Sequence, residues 1–148
     1  MVKMKNKWVC VLLVMVIAMQ SILPVSAAMP EADATPLADE YFKDYDAYIT
    51  NENGDITLEF WAQGVSTMSR IGAAVVYIYE RADDTEDWRT VKTCWQQSYS
   101  YLCGYDVREY GSYVTYDGID GYEYRGYVAF VAENSSGSSR TIGMWVYP

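Results

Sequence analysis

Apolar and polar residues alternate along much of this chain, and that period of two constrains the fold more than any other feature. The segment DITLEFWA shows the pattern of a strand with one buried face. Its inward set is Ile56, Leu58, Phe60 and Ala62. Asn53-Gly54 precedes it and favours a tight hairpin turn, because both residues tolerate a positive φ. We therefore expect a strand over residues 47–51 to turn back into one over 55–62.

Further strand patterns follow at short intervals. The segment IGAAVVYIYE is apolar on both alternating faces, as is typical of a central strand. Other strands are expected over residues 88–96 and 99–107, and at Val114 and Tyr116. In the segment 99–107 the residues expected on one side are Tyr99, Tyr101, Cys103, Tyr105 and Val107. About seven short strands and no helical stretch after the leader predict an all-β, antiparallel β-sandwich.

The last two strands divide their aromatic residues between two faces. In GYEYRGYVAFVAEN the alternation turns Tyr122 and Tyr124 inward and Tyr127 outward. One inward tyrosine can serve as a corner residue whose hydroxyl binds the backbone. In TIGMWVY the alternation turns Trp145 and Tyr147 outward. The inward set of that strand is Ile142, Met144 and Val146.

The first 27 residues have the three-part form of a secretory signal peptide. Three lysines precede an apolar run of twelve residues, and small residues follow Pro24. A spanning helix needs about 20 apolar residues, so a permanent membrane anchor is not expected. The predicted organisation is a signal peptide at 1–27, a disordered leader at 28–40 and a β-sandwich domain at 41–148, and the predicted location is extracellular.

The charge is strongly acidic. The whole chain carries a net charge of −9, and loss of Lys3, Lys5 and Lys7 with the signal makes it −12. Such a surface repels nucleic acid and anionic membranes, so neither is an expected partner. The acidic turns RADDTED and YDGIDG could offer oxygens to calcium, but neither has EF-hand spacing and solvated turns are the favoured interpretation. No metal and no cofactor are predicted.

Two cysteines, Cys94 and Cys103, remain after the signal peptide is removed. An even pair in an exported chain predicts one disulfide. The alternatives are two inert buried thiols or a metal site, and a zinc site would need further Cys or His ligands that the mature chain lacks.

The chain has no histidine. That absence excludes Ser-His-Asp triads, Cys-His pairs and imidazole metal ligands. A pair of carboxylates could still hydrolyse a glycosidic bond, but no pair among the twenty acidic residues is singled out. The protein is therefore predicted not to be an enzyme.

A family resemblance supports the same architecture. The segment AENSSG, with its upstream tyrosine, resembles the penultimate strand and final turn of fibronectin type III and immunoglobulin-like domains. The motifs that prompt a wider comparison are MSRIG at residues 68–72 and the pair Tyr124-Arg125. Nearly the whole mature chain is similar to a family of small secreted proteins of unassigned function from Gram-positive, gut-associated bacteria. The resemblance implies export and an immunoglobulin/fibronectin type III-like sandwich of about seven strands. It implies no catalytic or binding residues.

The number of aromatic residues points to a surface function. An immunoglobulin-like strand order places Tyr127, Trp145 and Tyr147 on one outer face, and Tyr77 and Tyr79 join them if their strand turns its odd residues outward. Exposed aromatic patches mark ligand or partner sites, although the same rings can simply support the sheet. We expect a non-catalytic binding module for a protein or glycan. A homodimer through that face would also explain the rings, and the alternative functions are a secreted effector, an antimicrobial-like protein or a carboxylate-based hydrolase.

Overall fold

The computed structural model describes residues 39–148, which fold into β-strands joined by turns, with one short 3₁₀ turn. The strands are β1 (Phe42–Glu52), β2 (Asp55–Met68), β3 (Arg70–Arg81), β4 (Arg89–Trp95), β5 (Cys103–Gly104), β6 (Val107–Asp117), β7 (Glu123–Glu133) and β8 (Ser139–Val146), with the 3₁₀ turn at Ser100–Leu102. No helix in this part of the chain is long and apolar enough to cross a membrane. The predicted signal peptide and leader, apart from residues 39 and 40, lie outside the described residues.

The strands form two antiparallel sheets. One has the order β1-β2-β6, and the other has the order β4-β3-β7-β8 with β5 beside β3. The predicted hairpin is present, since β1 and β2 pair and Asn53 has a φ of 57° at the turn. Strand β7 lies between β3 and β8, as the immunoglobulin-like order requires. The prediction of an antiparallel β-sandwich is confirmed.

The core lies between the two sheets and is built from the inward residues of the alternating strands. Phe130 on β7 is fully buried, and its ring centroid lies 6.3 Å from that of Phe60 on β2. Leu58 fills the space in front of Gly126, where an added Cβ would overlap the leucine side chain. The alternation predicted for β2 and β7 is therefore the alternation that packs the core.

A β-bulge in β3 decides which residues of that strand face outward. The register with β7 shifts between Ala73 and Val75. Before the bulge Ile71 is buried, and after it Val76 and Ile78 are buried. Tyr77 and Tyr79 are consequently turned to the outer face.

The prediction of a strand over residues 99–107 is wrong. Ser100–Leu102 form a 3₁₀ turn, β5 contains two residues, and Asp106 has a φ of 54° that ends the extended run. Leu102 packs against Gly72, where a Cβ would overlap the Leu102 carbonyl oxygen. The alternating tyrosines of this segment therefore do not belong to a paired strand. The short strand predicted at Val114 and Tyr116 is β6, which begins at Val107 and is longer than predicted.

The predicted Cys94–Cys103 disulfide is also wrong, because both cysteines are free and buried. Cys94 lies opposite Val76 and Cys103 lies opposite Gly72 on the same edge of β3. Four residues along a strand span about 13 Å, whereas bridged Cα atoms lie within about 7 Å. Burial raises the pKa of the Cys103 thiol to about 11 and also raises that of Cys94. Both side chains are the inert thiols of the alternative interpretation.

The corner tyrosine is Tyr124, at the start of β7. Its hydroxyl accepts a hydrogen bond from the Ile119 N–H at 2.6 Å and donates one to the Ile119 carbonyl at 3.2 Å. Gly118 makes room for it, because a Cβ there would overlap the hydroxyl. The bond ties the β6–β7 connection to the sheet that follows it, as a corner residue is expected to do.

Replacing Tyr124 by Phe should lower the free energy of unfolding by about 1–3 kcal/mol, because the Ile119 N–H loses its acceptor and the Ile119 carbonyl keeps only the bond from the Tyr122 N–H. Tyr122→Phe is the matched control, since its ring also packs against the core but takes no part in the corner; we expect it to cost about 0.5 kcal/mol or less. Urea unfolding measures both variants. Equal losses would show that the corner bonds contribute nothing specific.

Alkylation distinguishes free thiols from a bridge. Trypsin releases Cys94 and Cys103 together in a peptide covering residues 93–108, because Lys92 and Arg108 are its cleavage points. Unfolded protein alkylated without reductant should give this peptide with two added groups. At pH 8 we expect Cys103 to react at least about tenfold more slowly in the native protein than in the unfolded protein, because its raised pKa leaves little thiolate. An unalkylated peptide about 2 Da lighter than the dithiol would contradict the structure.

Candidate functional site

The outer surface of the five-stranded sheet carries a set of aromatic rings, which we call the aromatic face. Its members are Tyr77, Tyr79, Trp88, Trp95, Tyr127, Trp145 and Tyr147. Strands β3, β4, β7 and β8 supply five of them, Trp88 comes directly before β4, and Tyr147 comes directly after β8. The face is therefore a property of the whole sheet.

Strand register brings the rings together. Tyr77 on β3 lies opposite Tyr127 on β7, which lies opposite Trp145 on β8. The ring centroids of Tyr127 and Trp145 are 5.1 Å apart, and those of Tyr77 and Tyr127 are 6.2 Å apart. Trp95 extends the row onto β4, with 5.9 Å between its ring and that of Tyr77. Aromatic pairs at these separations stabilise the sheet beyond the area they bury.

A guanidinium lies among the rings. The Cζ of Arg125 is 4.4 Å from the ring centroid of Trp88, 4.7 Å from that of Trp145 and 5.4 Å from that of Tyr79. These distances are those of cation–π contacts. Arg81 also lies over Trp88, at 4.6 Å from its centroid. Aromatic rings thus hold two cations at one end of the sheet.

The two arginines differ in how their charge is balanced. Arg81 forms an ion pair with Glu123 at 2.5 Å. Within residues 39–148, the ion pairs involve Arg70, Arg81, Arg89 and Arg140. Arg125 is absent from these pairs, and its Nε is buried with no hydrogen-bond partner among the described residues. The aromatic face therefore contains a positive charge that its own sheet does not neutralise.

A groove with a volume of about 460 Å³ opens beside Arg125. It is lined by Asn51, Arg81, Trp88, Tyr122, Glu123, Tyr124, Arg125, Tyr147 and Pro148. Arg125, Trp88 and Tyr147 belong to both the groove and the rim of the aromatic face. A volume of this order lies in the range of small-molecule sites. The lining offers rings, cations, a carboxylate and an amide within one concave surface.

All five residues expected in the ligand-binding face belong to the aromatic face, and the rings of four of them contact one another. Tyr77, Tyr79 and Tyr127 are half-buried in the row of rings, and Trp145 is 45% exposed. Tyr147 is 62% exposed and lines the groove beyond the end of β8. The face thus has an exposed rim and a half-covered centre.

Sequence reasoning missed Trp88, Trp95, Arg81 and Arg125. The alternation around the buried Cys94 turns Trp95 outward, and Arg125 shares the outward set of β7 with Tyr127, so the sequence contained a signal for both. Trp88 lies outside the strands, and its contact with Arg125 depends on how the connection to β4 folds. The alternation of side chains along a strand does not predict where the side chain of such a residue lies.

A smaller set of exposed rings lies on the outside of the three-stranded sheet. Tyr48, Trp61 and Tyr113 occupy neighbouring strands there. Tyr48 donates a hydrogen bond to Glu59, and this bond raises the pKa of the tyrosine. This surface provides an internal comparison for the aromatic face.

Two acidic side chains, Asp83 and Glu80, have partners close by. Asp83 accepts hydrogen bonds from the N–H and hydroxyl of Thr85 at 2.9 and 2.5 Å, which lower its pKa. Glu80 is buried and accepts from Arg89 Nε at 2.9 Å. Among the residues that the structure describes, no three Cys, Asp or Glu side chains are grouped to hold a metal ion.

Comparison with known proteins gives a distant structural likeness and no match of sequence family. No protein-family model and no curated protein matches the chain. Among solved structures, the chain is similar to Spo0M, a sporulation control protein from Bacillus subtilis, with a TM-score of 0.39 and 8% sequence identity. The match covers 70% of this chain and 48% of that one, so the chain spans about half of its length. A likeness at this level indicates nothing about function, and the resemblance to a secreted bacterial family stays a prediction.

Proposed function

We propose that this protein is a secreted, non-catalytic binding module whose aromatic face recognises a protein or glycan in the extracellular space. The observation that carries the proposal is the arrangement of aromatic rings around Arg125, a cation with no acidic partner in residues 39–148. Tyr and Trp bury large areas at low entropy cost, and Arg adds directional hydrogen bonds. These are the side chains that dominate recognition surfaces.

The exposure of the rings supports binding over sheet support alone. Rings that only stabilise a sheet can be covered by their neighbours, and the half-buried Tyr77 and Tyr127 fit that role. Trp95, Trp145 and Tyr147 keep about half of their surface in solvent. A contiguous exposed aromatic patch of this kind is typical of an interaction site.

The chemistry of the domain supports a non-catalytic role. The chain has no histidine, and the two buried thiols have raised pKa values that disfavour the nucleophilic thiolate. The buried carboxylate Glu80 is held by Arg89 and is only 1% exposed, which keeps it from any substrate. The N-terminal signal pattern supports export.

A binding screen against glycans and extracellular proteins tests the proposal. Wild type is compared with Trp145→Ala/Tyr147→Ala and with a control that removes the same residue types from the opposite sheet, Trp61→Ala/Tyr113→Ala. We expect the first variant to lose affinity by about 30-fold or more, the effect of removing interface hot spots. The control should bind as wild type does.

Circular dichroism and melting temperature establish that both variants are folded. Equal binding by wild type and the Trp145→Ala/Tyr147→Ala variant would remove the aromatic face from the site. Absence of binding to every ligand in the screen would contradict the proposed function.

A further inference from the structure

We infer that the groove beside Arg125 is a subsite for a carboxylate-bearing sugar, so that the protein recognises acidic rather than neutral glycans. The inference rests on the proposed function and assigns a ligand class to the same face. The groove contains the guanidinium groups of Arg81 and Arg125, and that of Arg125 has no acidic partner among the described residues.

The surroundings of Arg125 hold its guanidinium in place. Trp88 and Trp145 lie 4.4 and 4.7 Å from its Cζ, and both contacts restrict the plane of the group. The buried Nε has no hydrogen-bond partner within residues 39–148, and the side chain makes no ion pair there. A positioned cation of this kind loses little further entropy when it binds an anion.

Arg81 shows what a balanced arginine looks like in the same groove. It contacts Trp88 as Arg125 does, but Glu123 satisfies its charge with a hydrogen bond and an ion pair. An arginine without an acidic partner is unexpected in a chain with a net charge of −9, where acidic groups outnumber basic ones by twenty to eleven. Partly buried charges are normally paired, so the missing partner of Arg125 is expected to come from a ligand.

The shape of a guanidinium selects the ligand group. Its N–H donors form a planar fork that matches the two oxygens of a carboxylate, and such charge-assisted bonds are the strong class. A neutral sugar could stack on the rings and accept hydrogen bonds through its hydroxyl oxygens, but it would leave the positive charge of Arg125 without a counter-ion. The carboxylate is therefore the group that distinguishes the favoured ligand.

The rest of the groove favours a sugar as the carrier of that carboxylate. Tyr147 offers an exposed ring that can cover one face of a pyranose. The Asn51 amide and the Glu123 carboxylate line the same groove and can bind hydroxyl groups. The side chains of an acidic peptide carry no hydroxyl groups for Asn51 and Glu123 to bind.

The test is a calorimetric titration with a galacturonic acid oligosaccharide, its carboxyl-reduced neutral counterpart and a tetraglutamate peptide. Wild type should bind the acidic oligosaccharide at least about tenfold more tightly than either of the others. Raising the salt from about 0.05 to 0.5 M should weaken binding of the acidic oligosaccharide and leave binding of its neutral counterpart unchanged, because screening acts on the charge pair.

Variants assign the effect to one residue. Arg125→Gln should weaken the acidic oligosaccharide by about tenfold or more and leave the neutral one unchanged. Arg140→Gln is the matched control, since it removes the same charge from an exposed position on β8 that pairs with Asp39. It should bind as wild type does. If Arg125→Gln proves unfolded, the acidic-to-neutral ratio and salt dependence of wild type decide the question.

Three results would overturn the inference. Equal binding of acidic and neutral oligosaccharides would leave the aromatic face as a glycan site and remove the carboxylate subsite. Preference for tetraglutamate would assign the groove to acidic peptides instead. Failure of wild type to bind any of these ligands would remove the acidic-sugar assignment, and the broader screen would then decide separately whether the face binds anything.

Discussion

The structure depends on the alternation of side chains along β7, because that strand lies between β3 and β8 and is paired along both edges. Its inward residues include Tyr124, which forms the corner, and Phe130, which fills the core. Its outward residues include Tyr127, in the centre of the aromatic face, and Arg125, at its rim. A shift of one residue in register would exchange the two sets, so the packing that stabilises the fold also fixes the position of the candidate site.

Charge distribution separates the candidate site from the rest of the domain. Most arginines of the described domain have a carboxylate nearby, including Arg89, whose partner Glu80 is buried. Arg125 has aromatic rings instead, and cation–π contacts contribute about 0.5–2 kcal/mol each depending on exposure. The rings thus tolerate a positive charge without neutralising it. That combination gives the aromatic face a chemical preference, which a patch of rings alone would lack.

The sequence predicts the parts of the fold that follow from local periodicity. The hairpin at Asn53-Gly54, the inward tyrosine at the start of β7 and the outward Trp145 all follow from alternation and turn chemistry. Features set by tertiary register do not. The bulge in β3 selects the outward face of Tyr77, and the positions of β4 and β5 along β3 separate Cys94 from Cys103. The contact between Trp88 and Arg125 is likewise invisible to any periodic pattern.

Hydroxyl-radical footprinting of the free protein, with its mass in solution from light scattering, tests most directly whether the aromatic face is open. Tyr147 and Tyr113 have nearly equal exposure, 62% and 60%, on opposite sheets. An open face predicts a monomer in which both tyrosines are oxidised at similar rates. Slower oxidation of Tyr147 and Trp145 in a dimer would show that a second copy covers the face, and would contradict its role as a free binding surface.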